Sequence, residues 1–152
     1  MAHKSQDLRG KGYASKFYVG RNAAQNINSG VFTTVQYDTI NLDILREYNT
    51  TTPNAFQPIK AGYYFLEASA MMQALAINDL FGLLFYVNGG NRIAQQYMLC
   101  HAAVQDAHLT IAGLAYLTPN DYVEVRVWHN FGALRPTGGN NYRDHFCGFR
   151  VS

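Results

Sequence analysis

From Tyr64 onward the chain alternates: Tyr64, Leu66, Ala68, Ala70 and Met72 are apolar, with Glu67 and Ser69 between them. Successive side chains of a strand point to opposite faces, so this pattern predicts a half-buried strand over 62–72. Gly62 suits a tight start to it, because it adopts backbone angles that a side chain forbids. Leu80 to Val87, LFGLLFYV, is a nearly continuous apolar run halted by Asn88-Gly89-Gly90. A strand and a hairpin turn are expected there, with Arg92 to Leu99 returning. Between His108 and Tyr116, Leu109, Ile111, Gly113 and Ala115 alternate with Thr110, Ala112, Leu114 and Tyr116. Both faces of that strand are expected to be covered. Tyr122 to Trp128 turns Val123, Val125 and Val127 inward, with Glu124 and Arg126 outward. In the closing segment, 145–151, Cys147, Phe149 and Val151 share the face expected to point inward.

Shorter signals fill the rest. Phe17-Tyr18-Val19 and 31–37 read as further strands, and 22–30 as a polar loop. NTTTPN at 49–54 and Thr118-Pro119-Asn120-Asp121 are turns by composition, since Pro fixes a backbone angle and Asn, Asp and Thr supply local hydrogen bonds. A long polar loop spans 132–141, with Pro136 and Gly138-Gly139. About ten short strands, and no useful 3.6-residue period, predict an all-β sandwich. A length of 152 residues suits one domain. That domain is placed at 17–152, after a polar arm, 1–16, in which Lys4, Arg9, Lys11 and Lys16 face only Asp7.

The order of aromatic and turn residues adds a resemblance. Tyr37-Asp38 is followed by Tyr48, Phe56 and then Gly62-Tyr63-Tyr64-Phe65-Leu66. Val87-Asn88-Gly89, the stretch from Leu117 to Val123, and Phe146-Cys147-Gly148-Phe149 come later in the same order. Over 15–152 this series resembles the globular head of complement component one q and its relatives in the tumour necrosis factor superfamily. Four positions depart from that pattern: Ala61 stands for the usual Pro, Leu66 for Phe, Asn120 for Gly and Cys147 for Ser. The resemblance implies a jelly-roll β-sandwich of about ten antiparallel strands, and a homotrimer. It also implies a possible calcium site near the trimer top, at Asp106 or Asp121, though turn formation is the favoured role for both.

Composition narrows the chemistry. A net charge of +2 is too small to point to nucleic acid, and no apolar run approaches the ~20 residues that span a bilayer. The first residues lack a hydrophobic signal-peptide core. Aromatic content is high, with eleven Tyr and nine Phe, as suits pleated, half-buried surfaces. His3, His101, His108, His129 and His145 show no zinc-binding spacing, and Cys100-His101 is not a ligand set. No nucleophile elbow surrounds Cys100, and neither Gly-rich turn continues into a phosphate loop. No enzyme, metal site or cofactor is therefore expected. Cys100 and Cys147 read as two buried thiols, with a single disulfide as the alternative.

Three interaction sites are expected. Trp128 and Phe146, each next to an inward residue, are assigned outward positions at the trimer interface. The loop 130–141 is the candidate receptor or ligand site, with Arg135, Asn140, Asn141 and Tyr142 as contacts, because loops on rigid sandwiches commonly carry binding. Lys4, Arg9, Lys11 and Lys16 form a candidate docking arm. The basic arm, with no leader-like stretch or collagen-like stalk, suits a virion structural protein at the particle surface: a capsid decoration, fibre head or receptor-binding tip. Its expected partners are itself, other virion or surface-assembly proteins, and a host-surface glycan or protein. The alternative is a carbohydrate-binding or adhesion module of a bacterial surface protein, on the cell or secreted. A hydrolase on a jelly-roll scaffold is a weaker third.

Overall fold

The computed structural model of the chain describes residues 14–101, 105–140 and 142–152. It contains thirteen strands and no helix among them. In chain order, β1 is Lys16–Gly20, β2 Asn26–Ile27, β3 Thr33–Thr34, β4 Thr39–Asp43, β5 Tyr48–Asn49 and β6 Ala55–Phe56. The long strands follow: β7 is Gly62–Leu75, β8 Leu80–Val87, β9 Asn91–Leu99, β10 Gln105–Leu117 and β11 Val123–His129. The short β12, Arg135–Pro136, and the closing β13, His145–Arg150, complete the series.

These strands form two principal antiparallel sheets. Sheet one runs β10-β7-β13-β1-β4; sheet two runs β5-β6-β11-β8-β9, with β3 also paired to β11. A separate ribbon joins β12 to β2. Spatial neighbours are rarely neighbours in sequence, which is jelly-roll connectivity. The expected fold class is what the chain adopts.

The inward residues of β7 read from the alternation, Tyr64, Leu66, Ala68, Ala70 and Met72, are all fully buried. So are the three valines of β11, facing them from sheet two. Between the sheets lies an aromatic cluster. Phe17 stacks on Phe56 at 4.3 Å and meets Phe146 edge-on at 4.8 Å, while Tyr37, Tyr48 and Phe85 approach Phe146 from other sides. Tyr37, Tyr48, Phe56 and Tyr64, the aromatics that carried the resemblance, are thus core residues. Asn88 and Gly89 both take left-handed backbone, φ 53° and 70°, and make the expected hairpin between β8 and β9.

The facing of β13 corrects the sequence reading. Phe146 and Gly148 point inward, whereas Cys147 is half-buried and Phe149 exposed on the outer face. Phe146, assigned to a trimer interface, is therefore at the centre of the core. The glycine explains the choice of face: a Cβ at Gly148 would stand 2.7 Å from the Phe65 carbonyl oxygen and 2.9 Å from the Phe17 ring. Only the face bearing that glycine fits against β7 and Phe17.

Loop 132–141 also differs from its reading as a free loop. Gly138 N donates to Met71 O at 2.9 Å, and Thr137 N to Gln25 O at 2.8 Å. Thr137 Oγ1 accepts from Gln25 N at 2.9 Å. Gly139, at φ 67°, passes so close to Ala23 and Ala24 that a side chain would collide with their backbone. The segment is a strap laid over the end of β7. Lys16, counted with the basic arm, is the first residue of β1, and the buried Ser15 beside it accepts from Arg150 N through its carbonyl.

Candidate interaction surface

The outer face of sheet one is built in cross-strand rows. Tyr63 of β7 lies opposite Tyr116 of β10, and their rings meet edge-on at 5.3 Å. One row further, Phe65 lies between Leu114 of β10 and Phe149 of β13, with the two Phe rings 5.5 Å apart. Leu114 is 62% exposed and Tyr116 58%; Tyr63 and Phe149 are each about half exposed. The next row runs Leu42, Tyr18, Cys147, Glu67 and Ala112 from β4 to β10. Three adjacent strands therefore present aromatic and aliphatic side chains that the chain's described residues leave open. The expectation that both faces of β10 are covered fails here within one chain.

The sequence carried a signal for this face. Tyr63 and Phe65 alternate with the buried Tyr64 and Leu66, so β7 is apolar in both phases at its start. A strand with two apolar faces needs two coverings, and sheet two supplies only one.

Trp128 points away from the core as expected, but from sheet two. Its ring packs beside Phe32 at 6.1 Å and Tyr97 at 6.2 Å. Arg92 lies over Phe32 and Tyr86 at 5.2 and 5.4 Å, and Arg126 over Tyr86 at 4.3 Å. Arg126 is in turn held by Glu124 at 2.8 Å. Trp128 and Phe146 share no face.

Of the described residues in the predicted loop site, Arg135 is half-buried in the β12–β2 ribbon, and its Nε has no hydrogen-bond partner among the described residues. Asn140 is occupied by a turn: its Oδ1 accepts from Tyr142 N at 2.9 Å and its carbonyl from Asp144 N at 2.8 Å. Tyr142 projects into solvent at 88% exposure. Asn141 lies outside the described residues, as do Lys4, Arg9 and Lys11 of the arm. A polar cleft of about 450 Å³, lined by Arg21, Asp38 and Thr50 to Thr52 among others, opens elsewhere on the surface.

The aspartates named for calcium are engaged by the fold. Asp121 accepts from Thr118 N and Oγ1 at 2.7 and 2.8 Å, and from Asn88 Nδ2 at 2.7 Å; these hydrogen bonds, Asn88 foremost, hold its carboxyl below the usual range. Asp106 accepts from Ala74 N at 3.1 Å. Metal-capable side chains converge elsewhere: Glu67, His145 and Cys147 meet on the outer face of sheet one. Sequence spacing hides this group, because it joins two strands 78 residues apart. The two cysteines form no disulfide; Cys100 is buried, and burial, with Glu67 nearby, pushes the Cys147 thiol up to about 11.

No protein-family model and no curated protein matches the chain. Solved structures do match its fold. The Eiger TNF of S. frugiperda superposes with a TM-score of 0.69 at 8% identity, covering 91% of this chain and 93% of that one. Murine APRIL gives 0.70 at 12% identity, over 91% of this chain and 100% of its own. The globular domain of the zebrafish complement 1qA protein gives 0.63 at 14%, over 91% and 98%.

Proposed function

On the fold of the tumour necrosis factor-like and complement one q-like heads, we propose that this chain acts as a homotrimeric, non-enzymatic recognition or structural head. Proteins on this fold are commonly trimers. The observation that carries the reading is the open apolar face of sheet one, where Tyr63, Phe65, Leu114, Tyr116 and Phe149 lie side by side. Contiguous exposed apolar patches of this kind mark interaction surfaces. Packing three copies about that face would cover both sides of β7 and β10, as their sequences anticipate.

Within this class the chain is read as a virion component, a decoration protein, fibre head or receptor-binding tip, joined to its particle through the basic arm. The support is compositional: Lys4, Arg9 and Lys11 face one acid, Asp7, before β1 begins. Three arms on one symmetric head would act together, so modest single contacts give firm attachment.

Sedimentation tests the first level. A trimer at micromolar concentration is expected, whereas a well-behaved monomer would sink the reading. A chain beginning at Ala14 tests the second. It retains the buried Ser15 and should still form trimers but fail to join the particle; undiminished incorporation would show that the arm does not attach it.

A further inference from the structure

On the outer face of sheet one, β7 and β13 bring three chemically distinct ligand groups together. Cys147 is the direct cross-strand partner of Glu67, and His145, two residues earlier, stands on the same side of β13. His145 Nε2 and Glu67 Oε1 are 3.3 Å apart, and ligand atoms of all three residues lie within 4.8 Å of one another. All three side chains are half-buried. Tyr18, which pairs with Cys147 from β1, stacks on the His145 ring at 5.4 Å and 16°. That contact walls one side and fixes the imidazole. Ala112, opposite Glu67 on β10, contributes only a methyl group on the other side. The ring's second nitrogen, Nδ1, is buried and meets no hydrogen-bond partner among the described residues, so the imidazole is incompletely satisfied by them.

We propose that Glu67, His145 and Cys147 form a binding site for a zinc-class divalent cation. Carboxylate, imidazole and thiolate together are a borderline-soft donor set, whereas calcium and magnesium take oxygen ligands. Bonds of about 2.0–2.3 Å to a tetrahedral zinc place neighbouring ligand atoms roughly 3.3–3.7 Å apart. The glutamate and histidine already have that spacing, and a side-chain rotation brings the sulfur in. Binding converts the Cys147 thiol to thiolate, its proton leaves to solvent, and no electron is transferred. Three protein ligands leave a fourth position, directed away from the sheet, for water or a group from whatever covers this face. The site does not require the trimer, since one chain supplies all three ligands. If a second copy does cover the face, the ion lies inside the interface.

The test uses the full chain, stripped with a chelator, dialysed and titrated with Zn²⁺ alone by calorimetry. A parallel titration with Co²⁺ alone reads thiolate ligation from the cobalt–sulfur charge-transfer band. One ion per chain and a clear thiolate band are expected. Cys147→Ser should abolish the band, and His145→Gln and Glu67→Gln should each weaken Zn²⁺ binding at least about tenfold, the lower end of what losing even an outer partner costs. Cys100→Ser should change neither. Glu67 is 37% exposed, so Glu67→Gln guards against a loss that merely reflects unfolding. Saturable binding absent at micromolar Zn²⁺, or unchanged in Glu67→Gln and Cys147→Ser, would overturn the proposal. Sedimentation of the same samples separates it from the trimer reading: a zinc-binding monomer keeps this site and removes that one.

Discussion

Sheet one and sheet two both carry aromatic rings on their outer faces, yet the chain treats them differently. On sheet two, Trp128, Phe32, Tyr97 and Tyr86 pack on one another, and Arg92 and Arg126 lie across the rings. β3 pairs along β11, and its Thr34 Oγ1 donates to Glu124 at 2.9 Å, so Glu124 is almost buried on a nominally outer face. On sheet one, among the described residues, the rings of Tyr63, Tyr116, Phe65 and Phe149 find ring contacts only in one another and stay about half open or more, except for the better-covered Phe65. An outward aromatic is therefore no sign of an interface by itself. What counts is whether the chain supplies its own covering.

The largest effect should come from placing charge on the open face. Replacing Leu114→Glu and Tyr116→Glu together would set like charges against one another in any self-assembly. Such juxtaposition costs several kcal/mol, so self-association should weaken by at least about 100-fold in sedimentation, with little change in the monomer's stability. Unaltered assembly would break the contrast between the faces. On sheet two the opposite split is expected. Trp128→Ala should cost about 1–3 kcal/mol in denaturant unfolding, through lost packing on Phe32 and Tyr97, while assembly is unchanged. A smaller loss, about 0.5–1 kcal/mol, is expected for Arg92→Ala, which removes the cation from Phe32 and Tyr86.

The gentlest change is a pH dependence at the end of β11. His129 is fully buried, stacked on Phe131 at 4.2 Å, with Nε2 3.0 Å from the Ile27 carbonyl. Burial, outweighing that carbonyl's upward pull, holds its pKa below the ordinary 6.5. The unfolded chain therefore takes up the proton first as pH falls. Stability is complete above about pH 6.5 and declines as pH drops from there through the folded-state value. Unfolding titrations from about pH 7.5 to about 5 check this, and His129→Gln should flatten the profile. A flat profile for the wild-type chain would contradict the assignment.

Much of this architecture is legible from side-chain order. The alternation of β7 and the valines of β11 mark their inner faces because each strand has polar residues on the other phase. Asn88-Gly89 marks a hairpin because both positions need left-handed backbone. Legibility ends where a strand is apolar, or polar, in both phases. In β13, Phe146, Cys147 and Phe149 offer either face, and only the close approach at Gly148 decides between them. Thr39–Asp43 escapes notice although Ile40 and Leu42 alternate with polar neighbours, because the run is short and those two residues stay exposed instead of joining the core. The open face of sheet one and the Glu67–His145–Cys147 group depend on register between distant strands. The first leaves only one local mark, the doubly apolar start of β7; the second leaves none, nor does the strap, whose hydrogen bonds go to Met71 and Gln25.

The seat of β1 sets a timetable for the newborn chain. The first strand of the described fold lies between β4 and the last strand, β13, with Lys16 opposite Phe149 and Gly20 opposite His145. As the polypeptide emerges from the ribosome, β1 can pair with β4 but must wait for β13 before its other edge is filled. Phe17 likewise waits for Phe146. Pairing between strands so far apart in sequence is slow to form, and until it forms an unpaired edge and bare aromatics remain accessible to other chains. The Phe149 row of the open face also arrives last. Any association that uses the whole of that face must therefore follow the synthesis and docking of β13.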